Sequence, residues 1–471
     1  MSDATSTGAT PVPGNALTRR EVIGGLAAAT LVAASRPMDA QPAAASPSAR
    51  PYLDAALAAE RWIARQAVPT ADGLTWPADP ADPKSVQRDL YTGTPGVVLF
   101  YSELARVTGE DRYREAARDG GRYLAGLVRA GDAAEAFKGE NAGLYTGLAG
   151  IAYTLSVAGV ASGDARLATA AGEAMQLVVR LAAPAGAGVA WSESNDIISG
   201  SSGIGLTLLW AAKALGTPGA TEAAAGAGRH LLETSIRKAL GLSWSISPSV
   251  PRRYPNFSHG AGGVSYFLAS LHAVTKEPAF LEGALGGAAY LRSVATSTPG
   301  GGKMVFHSEP GNEQLFYLSW CHGPSGTARL FHRLAAITGR REFTEFASQL
   351  DTATRDMKVP EQSPGFWNNI SQCCGNCGVV EYLVAQHDRT GDSRALDYAR
   401  TIADDVLKRA TADGDGLKWI QAEHRVRPEL LVAQTGLMQG AAGVGLAMLH
   451  LDGAMQRRRP LVVLPDNPYY A

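Results

Sequence analysis

The stretch Cys373-Cys374-Gly375-Asn376-Cys377-Gly378 contains a Gly-x-x-Gly frame that recurs along the chain. Successive copies are separated by 52 to 65 residues. Self-similarity of this period is typical of arrays or rings of one repeated unit. The frames begin at Gly93, Gly147, Gly200, Gly260, Gly323, Gly375 and Gly440.

Apolar residues at helical spacing follow each frame, such as Val97 and Leu104 after the first. This spacing predicts a helix that begins at the second glycine of the frame. A turn, here Thr108-Gly109-Glu110, then leads into a second predicted helix over Asp111 to Arg129. The repeated unit is therefore a pair of helices.

A single helix pair cannot bury its own apolar faces, so neighbouring pairs must stack as an open solenoid or a closed ring. Convincing strand patterns are missing from the sequence, apart from short segments near Leu242-Ser243-Trp244 and Met304-Val305-Phe306 that we interpret as loop strands. We predict an all-α fold over residues 51–471, an α/α toroid of seven helix pairs with inner and outer helices. Closure would bring the loops that precede the inner helices together at one end.

Residues 1–50 are predicted to lie outside this fold. Arg19 and Arg20 precede an apolar run from Val22 to Ala34, and a tract rich in Pro, Ala and Ser follows. The run is too short to span a bilayer, which takes about 20 residues. The pattern resembles a twin-arginine export signal and linker, and a chance arginine pair is the alternative. We therefore expect an exported protein, periplasmic or secreted, with no stable membrane span.

The charge of the chain excludes one class of partner. Lys and Arg number 43 against 44 Asp and Glu, which leaves a formal net charge of -1. Without a basic field, nucleic acid is not an expected partner.

The cysteines are few and concentrated at two frames. Three of the four lie at positions 373, 374 and 377, and the fourth, Cys321, lies in Trp320-Cys321-His322-Gly323. In a closed ring, Cys321, Cys373 and Cys374 would face one another and could bind zinc, which in catalytic sites takes three protein ligands and keeps one position open. A disulfide, for example between Cys321 and Cys377, is the alternative in an oxidising compartment. We otherwise interpret Cys377 as a packing residue.

Seven frames, with Trp320-Cys321-His322-Gly323 in the fifth and Cys373-Cys374-Gly375 in the sixth, resemble the lanthionine synthetase C family of peptide cyclases. The resemblance covers the chain from about Pro51 to its end. It implies a double ring of helices, bound zinc and thioether formation. The family's usual histidine ligand falls on Cys374, so the implied zinc ligands are three cysteines.

The same resemblance implies two catalytic residues, Asp196 and His259. In such a cyclase, a thiol loses its proton and adds to the β-carbon of dehydroalanine or dehydrobutyrine, and the α-carbon then gains a proton. Histidine suits proton transfer because its unperturbed pKa is about 6.5. Taken singly, a helix-cap role for Asp196 and a structural role for His259 are the alternatives. His322 is expected to support the metal ligands or to contact the substrate.

These observations favour a zinc-dependent enzyme that adds a peptide cysteine or a small thiol such as glutathione to a dehydroamino acid. A separate dehydratase would have to supply that substrate. A carbohydrate-active enzyme is one alternative, because rings of helix pairs also host glycosidases. Such an enzyme needs two carboxylates that face each other across a sugar. A peptide-binding module with purely structural zinc is another, with His322 or His307 as fourth ligand. The loop carboxylates available to the carbohydrate hypothesis are Glu193, Asp196, Glu309 and Glu313.

Overall fold

Seven helices follow the seven Gly-x-x-Gly frames and form the inner layer of the computed structural model, which describes residues 49–309, 314–361 and 365–470. Each begins one residue after the first glycine of its frame, two residues earlier than predicted, because that glycine is the extended residue that precedes the first turn. The inner helices are α2 Thr94–Thr108, α5 Leu148–Ser162, α7 Ser201–Ala214, α9 Ala261–Thr275, α11 Pro324–Thr338, α13 Asn376–Thr390 and α15 Ala441–Met455.

Seven further helices pack outside the inner layer, each against one inner helix. The outer helices are α1 Pro51–Ala64, α3 Asp111–Arg129, α6 Ala165–Arg180, α8 Ala220–Glu233, α10 Pro278–Ser293, α12 Arg341–Asp356 and α14 Ser393–Lys408. A short helix, α4 Ala133–Ala136, follows α3. The inner helices are buried on most sides, whereas the outer helices bury one face, as expected for two concentric layers.

The ring closes through contacts between the two ends of the described chain. Inner helix α15 packs against α2, and its outer partner is α1, the first helix of the described residues. The predicted toroid of seven helix pairs is thus confirmed, although its seventh pair combines elements from opposite ends of the sequence. The remaining described residues, 456–470, follow α15 and pack inside the ring.

Short strands form the connections between pairs, and the two predicted loop strands are among them. Within the described residues there are seven two-stranded sheets, six antiparallel and one parallel. The antiparallel pairs are β1 Val68–Pro69 with β2 Leu74–Thr75, β3 Ala183–Ala185 with β4 Gly188–Ala190, β5 Ile236–Lys238 with β6 Gly241–Ser243, β7 Ala295–Ser297 with β8 Lys303–Val305, β11 Thr411–Asp413 with β12 Gly416–Lys418, and β13 Gln421–Ala422 with β14 Leu431–Val432; β9 Phe316–Tyr317 pairs in parallel with β10 Phe366–Trp367.

The loops before the inner helices are joined into a ring by backbone hydrogen bonds. At each step around the described chain, the amide of one loop donates to a carbonyl of a neighbouring loop, at 2.8 to 3.1 Å. Two of the predicted metal ligands belong to this ring. The bonds run from Tyr91 N to Tyr145 O, Tyr145 N to Ile198 O, Ile197 N to Ser258 O, Ser258 N to Cys321 O, Cys321 N to Cys373 O, Cys373 N to Met438 O, and Met438 N to Tyr91 O.

The second glycine of each frame permits these loops to pack against their helices. A Cβ atom at Gly203 would lie 2.0 Å from the carbonyl oxygen of Ile197, and one at Gly326 would lie 1.8 Å from that of Trp320. Neither approach is possible for a larger residue without moving backbone, so glycine is required by close contact at these positions.

This packing predicts opposite effects for two helical Gly→Ala substitutions. Gly203→Ala should lower the free energy of unfolding by about 1–3 kcal/mol, because the added methyl overpacks a buried site. Gly172→Ala, on the partly buried α6, should raise it by about 0.5–1 kcal/mol, because its Cβ meets nothing within 4 Å and alanine favours the helix. Urea unfolding measures both; equal stabilities would contradict the packing role.

Candidate functional site

Three of the cysteines meet at the end of the ring where the loops converge. The Sγ atoms of Cys321, Cys373 and Cys374 all lie within 4.8 Å of one another, with 3.4 Å between Cys321 and Cys374 and 3.5 Å between Cys374 and Cys373. All three residues are buried. Cys377 is instead fully buried in the first turn of α13, and all four cysteines are free thiols, so the structure holds no disulfide between Cys321 and Cys377.

The thiol cluster fits a tetrahedral metal ion. With metal–sulfur bonds of about 2.3 Å, sulfurs at two corners of a tetrahedron lie roughly 3.8 Å apart, close to the separations observed. Within the described residues, this group of neighbouring ligand atoms contains three cysteines and neither His307 nor His322. A bound ion would therefore keep a position for a ligand from outside the protein.

The three thiols of the cluster affect one another's ionisation. Burial opposes ionisation of Cys373, but hydrogen bonds from Cys321, Cys374 and the Tyr91 hydroxyl outweigh it and lower the pKa of Cys373. Burial and the interaction with Cys373 raise the pKa of Cys321. A buried thiol with a lowered pKa beside two further thiols is an environment that a cation would stabilise.

His259 and Asp196 form a second polar pair in the site. Nδ1 of His259 lies 2.5 Å from Oδ2 of Asp196, while Oδ1 of Asp196 accepts the backbone amides of Ser199 and Gly200, each at 2.9 Å. Asp196 therefore bonds the turn before α7 through one oxygen and the imidazole through the other. A helix-cap role and a contact with His259 are thus compatible. The side chain of Asp196 is 1 % exposed, against 32 % for His259.

The carboxylate controls the charge of the imidazole. Burial lowers the pKa of His259, but the hydrogen bond and the charge of Asp196 outweigh that effect and raise the pKa above its usual value. The interaction also occupies Nδ1, which leaves Nε2 as the ring nitrogen that can act on a substrate.

His322 lies among aromatic rings beside the thiols. Its ring centroid is 4.4 Å from that of His307 and 5.1 Å from that of Tyr254, and it stacks on His259 at 5.6 Å. Burial, with the nearby imidazoles of His307 and His259, lowers the pKa of His322 well below its usual value. Its Nδ1 has no hydrogen-bond partner among the described residues, so this neutral ring has a free polar atom next to Cys321.

A cleft of about 340 Å³ unites the cysteines, His259 and His322. Asp196 reaches it only through His259. Several residues that line the cleft were not predicted as site residues from the sequence. Tyr91 could have been found, because it stands two residues before its frame, the same register as Cys321 and Cys373. Gln439 could also have been found, because it stands directly before Gly440, the same register as His322 and Cys374. The others occupy positions that do not repeat between frames; they are Arg252, Tyr254, Tyr317, Glu423, His424, Arg425 and Val426.

The described loop carboxylates weighed for the carbohydrate hypothesis do not line the cleft. Glu309 is bonded to Lys238, Arg253 and Tyr290. Neither Glu193 nor Glu309 is among the residues that line the cleft. Glu313 lies outside the described residues.

A protein-family model matches most of the chain. The model described as "Lanthionine synthetase C-like protein" matches residues 84–464. The chain belongs to this family. The comparison with curated protein sequences gave no match.

Two solved structures of other proteins align with this one. Nisin cyclase aligns with a TM-score of 0.55 and 16 % identity, over 79 % of this chain and 94 % of its own. An inactive variant of the alpha-1,6-mannanase GH76A of Salegentibacter sp. HEL1_6 aligns with a TM-score of 0.45 and 12 % identity, over 86 % of this chain and 99 % of its own. The similarity to nisin cyclase establishes a shared fold. The similarity to the mannanase, with a TM-score below 0.5, supports no conclusion.

The cluster predicts different roles for two buried cysteines of one stretch. Cys373→Ala should greatly weaken binding of Co²⁺, a spectroscopic substitute for zinc, because it removes one thiolate. Cys377→Ala should leave binding unchanged, because Cys377 is outside the cluster. Titration of the apoprotein, followed by the thiolate-to-cobalt absorption band, compares them; equal affinities would rule out the cluster as the metal site.

Proposed function

We propose that this protein is a zinc-dependent enzyme that adds a thiol to dehydroalanine or dehydrobutyrine and so forms a thioether. The observation that carries the proposal is the cleft in which three clustered thiols and the Asp196-bound imidazole of His259 occur together. Membership of the lanthionine synthetase C-like family and the shared fold with nisin cyclase support it. The thiol would come from a peptide cysteine or a small molecule.

The reaction adds S–H across a carbon–carbon double bond. The thiol proton leaves, the sulfur lone pair forms a bond to the β-carbon, and the π electrons move to the α-carbon side of the substrate. The resulting enolate then takes one proton at the α-carbon. The protein must therefore supply a site that ionises the thiol and an acid that protonates the α-carbon.

Cys321, Cys373 and Cys374 would hold the zinc ion. When bound, zinc lowers the pKa of a coordinated thiol, so that thiolate is present at neutral pH. Cys374 stands where the resemblance to the family implies histidine. Three cysteines place more negative charge around the site than two, which we expect to increase the nucleophilicity of the substrate sulfur.

His259 would protonate the α-carbon. Asp196 raises the pKa of His259 and orients its ring through Nδ1, so Nε2 is the ring nitrogen that would deliver the proton when the imidazole is charged. His322 lines the same cleft, where it would support the metal ligands or contact the substrate.

The alternatives fit these observations less well. A carbohydrate-active enzyme would leave the thiol cluster without a role, and Glu309 is already bonded to two cations. A structural zinc site would need a fourth protein ligand, and the described residues bring only three ligand atoms together.

The cellular setting of this reaction is also proposed. Residues 1–48, which contain the predicted twin-arginine signal, lie outside the described residues. Among the described residues, no helix is long and apolar enough to cross a membrane. We propose that the 51–471 toroid acts after export, on a substrate that a separate dehydratase has prepared.

Removal of the imidazole tests the acid. His259→Asn should reduce thiol addition to a dehydroalanine peptide by about 10²–10⁴-fold and leave the zinc content at one ion per chain, because His259 is not in the thiol cluster. Mass spectrometry of the product measures the rate. His272→Asn, at the other end of α9, is the matched control and should keep full activity. An active His259→Asn protein would remove His259 from the mechanism.

Removal of the carboxylate charge tests how His259 is tuned. Asp196→Asn keeps an acceptor for the two backbone amides but deletes the charge that raises the pKa of His259, so this pKa should fall. The alkaline limb of kcat/KM, where the acid loses its proton, should therefore move to lower pH. A uniform loss at every pH, without displacement of the limb, would assign Asp196 a structural role only.

A further inference from the structure

Residues 456–470, the C-terminal tail, pack inside the ring against the inner helices. The amides of Leu461 and Val462 both donate to Oε2 of Glu103, at 2.8 Å. The Tyr153 hydroxyl donates to the carbonyl of Val463 at 2.6 Å and accepts its amide at 3.0 Å. The tail is therefore bonded to α2 and α5, which lie far from it in sequence.

Asp466 of the tail is bonded to the residue that precedes a predicted metal ligand. Its side chain is fully buried, and Oδ2 accepts Nε1 of Trp320 at 2.9 Å, with Arg329 at 3.1 Å and the Tyr145 hydroxyl at 3.2 Å. Trp320 immediately precedes Cys321. Orientation of the indole thus depends on the tail as well as on its own loop.

A second chain of contacts joins the tail to Cys373. Gln372, which precedes Cys373, has its Nε2 3.3 Å from Oε1 of Glu381, whose Oε2 lies 2.8 Å from Nδ1 of His450. Nε2 of His450 lies 3.8 Å from Oε2 of Glu103, the oxygen that accepts the two tail amides. Two independent networks therefore lead from the tail to the residues before Cys321 and Cys373.

A buried ion pair is weak evidence for net stability, since desolvation of both charges offsets their attraction. The Asp466–Arg329 pair is better explained by a role in orienting the Trp320 indole, which donates to the same oxygen of Asp466. Ligand-bearing loops need support because thiols 3.4 to 3.5 Å apart repel one another when ionised. Hydrogen bonds behind metal ligands commonly supply such support.

We propose that the C-terminal tail is part of the metal centre, with Asp466 and Glu103 as positioning residues that hold Trp320 and Gln372, and thereby Cys321 and Cys373, in metal-binding geometry. This inference rests on the proposed zinc site. The C-terminal tail would thus affect the cleft although no residue of the tail lines it.

A matched pair of hydroxyl and indole deletions tests the inference. Trp320→Phe keeps an aromatic ring against Tyr145 and Phe257 but removes the donor to Asp466. Tyr153→Phe removes a tail contact that leads to no metal ligand. In the full-length protein, zinc and cobalt affinities are measured with the metal alone against a competing chelator, and thermal unfolding is followed in parallel.

Trp320→Phe should weaken metal binding by about 10–100-fold, the usual effect of losing support behind a ligand, whereas Tyr153→Phe should lower only the unfolding temperature. Asp466→Asn, if it folds, should weaken binding similarly, and combining it with Trp320→Phe should add little. Equal metal affinities for wild type and Trp320→Phe, or equal losses in Trp320→Phe and Tyr153→Phe, would overturn the inference.

The wild-type protein separates this inference from the proposed function. If it binds metal and Trp320→Phe binds weakly, but neither adds thiols to dehydroalanine peptides, the positioning role stands and the proposed reaction is wrong. If the enzyme is active and both Trp320→Phe and Asp466→Asn bind metal as tightly as the wild type, the proposed reaction stands and the positioning role is wrong. A wild-type protein that binds no metal would overturn both.

Discussion

The contact between the second glycine of each frame and the carbonyl six residues before it is the constraint on which this structure depends. It lets a loop cross directly over the first turn of its inner helix, as Trp320 does at Gly326 and Ile197 at Gly203. The following residue is then placed to hydrogen-bond with a neighbouring loop. Repeated seven times, this local packing gives a closed circle of loops, and the circle gives the cleft its position.

The chemistry of the site follows from what these loops bury. Three thiols lie in one buried cluster, in which hydrogen bonds lower the pKa of Cys373, and a cation would stabilise the ionised form. Asp196 uses one oxygen to complete its own turn and the other to raise the pKa of His259. The proposed acid, His259, and the predicted metal ligands share a cleft because neighbouring repeats place them in equivalent loop positions.

Closure of the ring also joins distant parts of the chain. Helix α1 completes the seventh pair with α15. The tail that follows α15 returns through the interior of the ring, where its residues contact Glu103, Tyr153 and Trp320. A linear repeat would leave its terminal units exposed. Here helices α1 and α2 cover α15. The tail bonds Trp320, the residue that precedes the predicted ligand Cys321.

The helix pairs, their number and the ligand-bearing loops could be predicted from the sequence, because glycine spacing and helical periodicity are local and repeat visibly. Motif resemblance also indicated Cys321, Cys373, Cys374, His259 and Asp196. The folded structure was needed to show that Asp196 bonds His259, that Tyr91 contacts Cys373, and that Asp466 bonds Trp320. These contacts join residues from different repeats or from outside any repeat, and such distances in sequence leave no periodic signal; they exist only once the ring has closed.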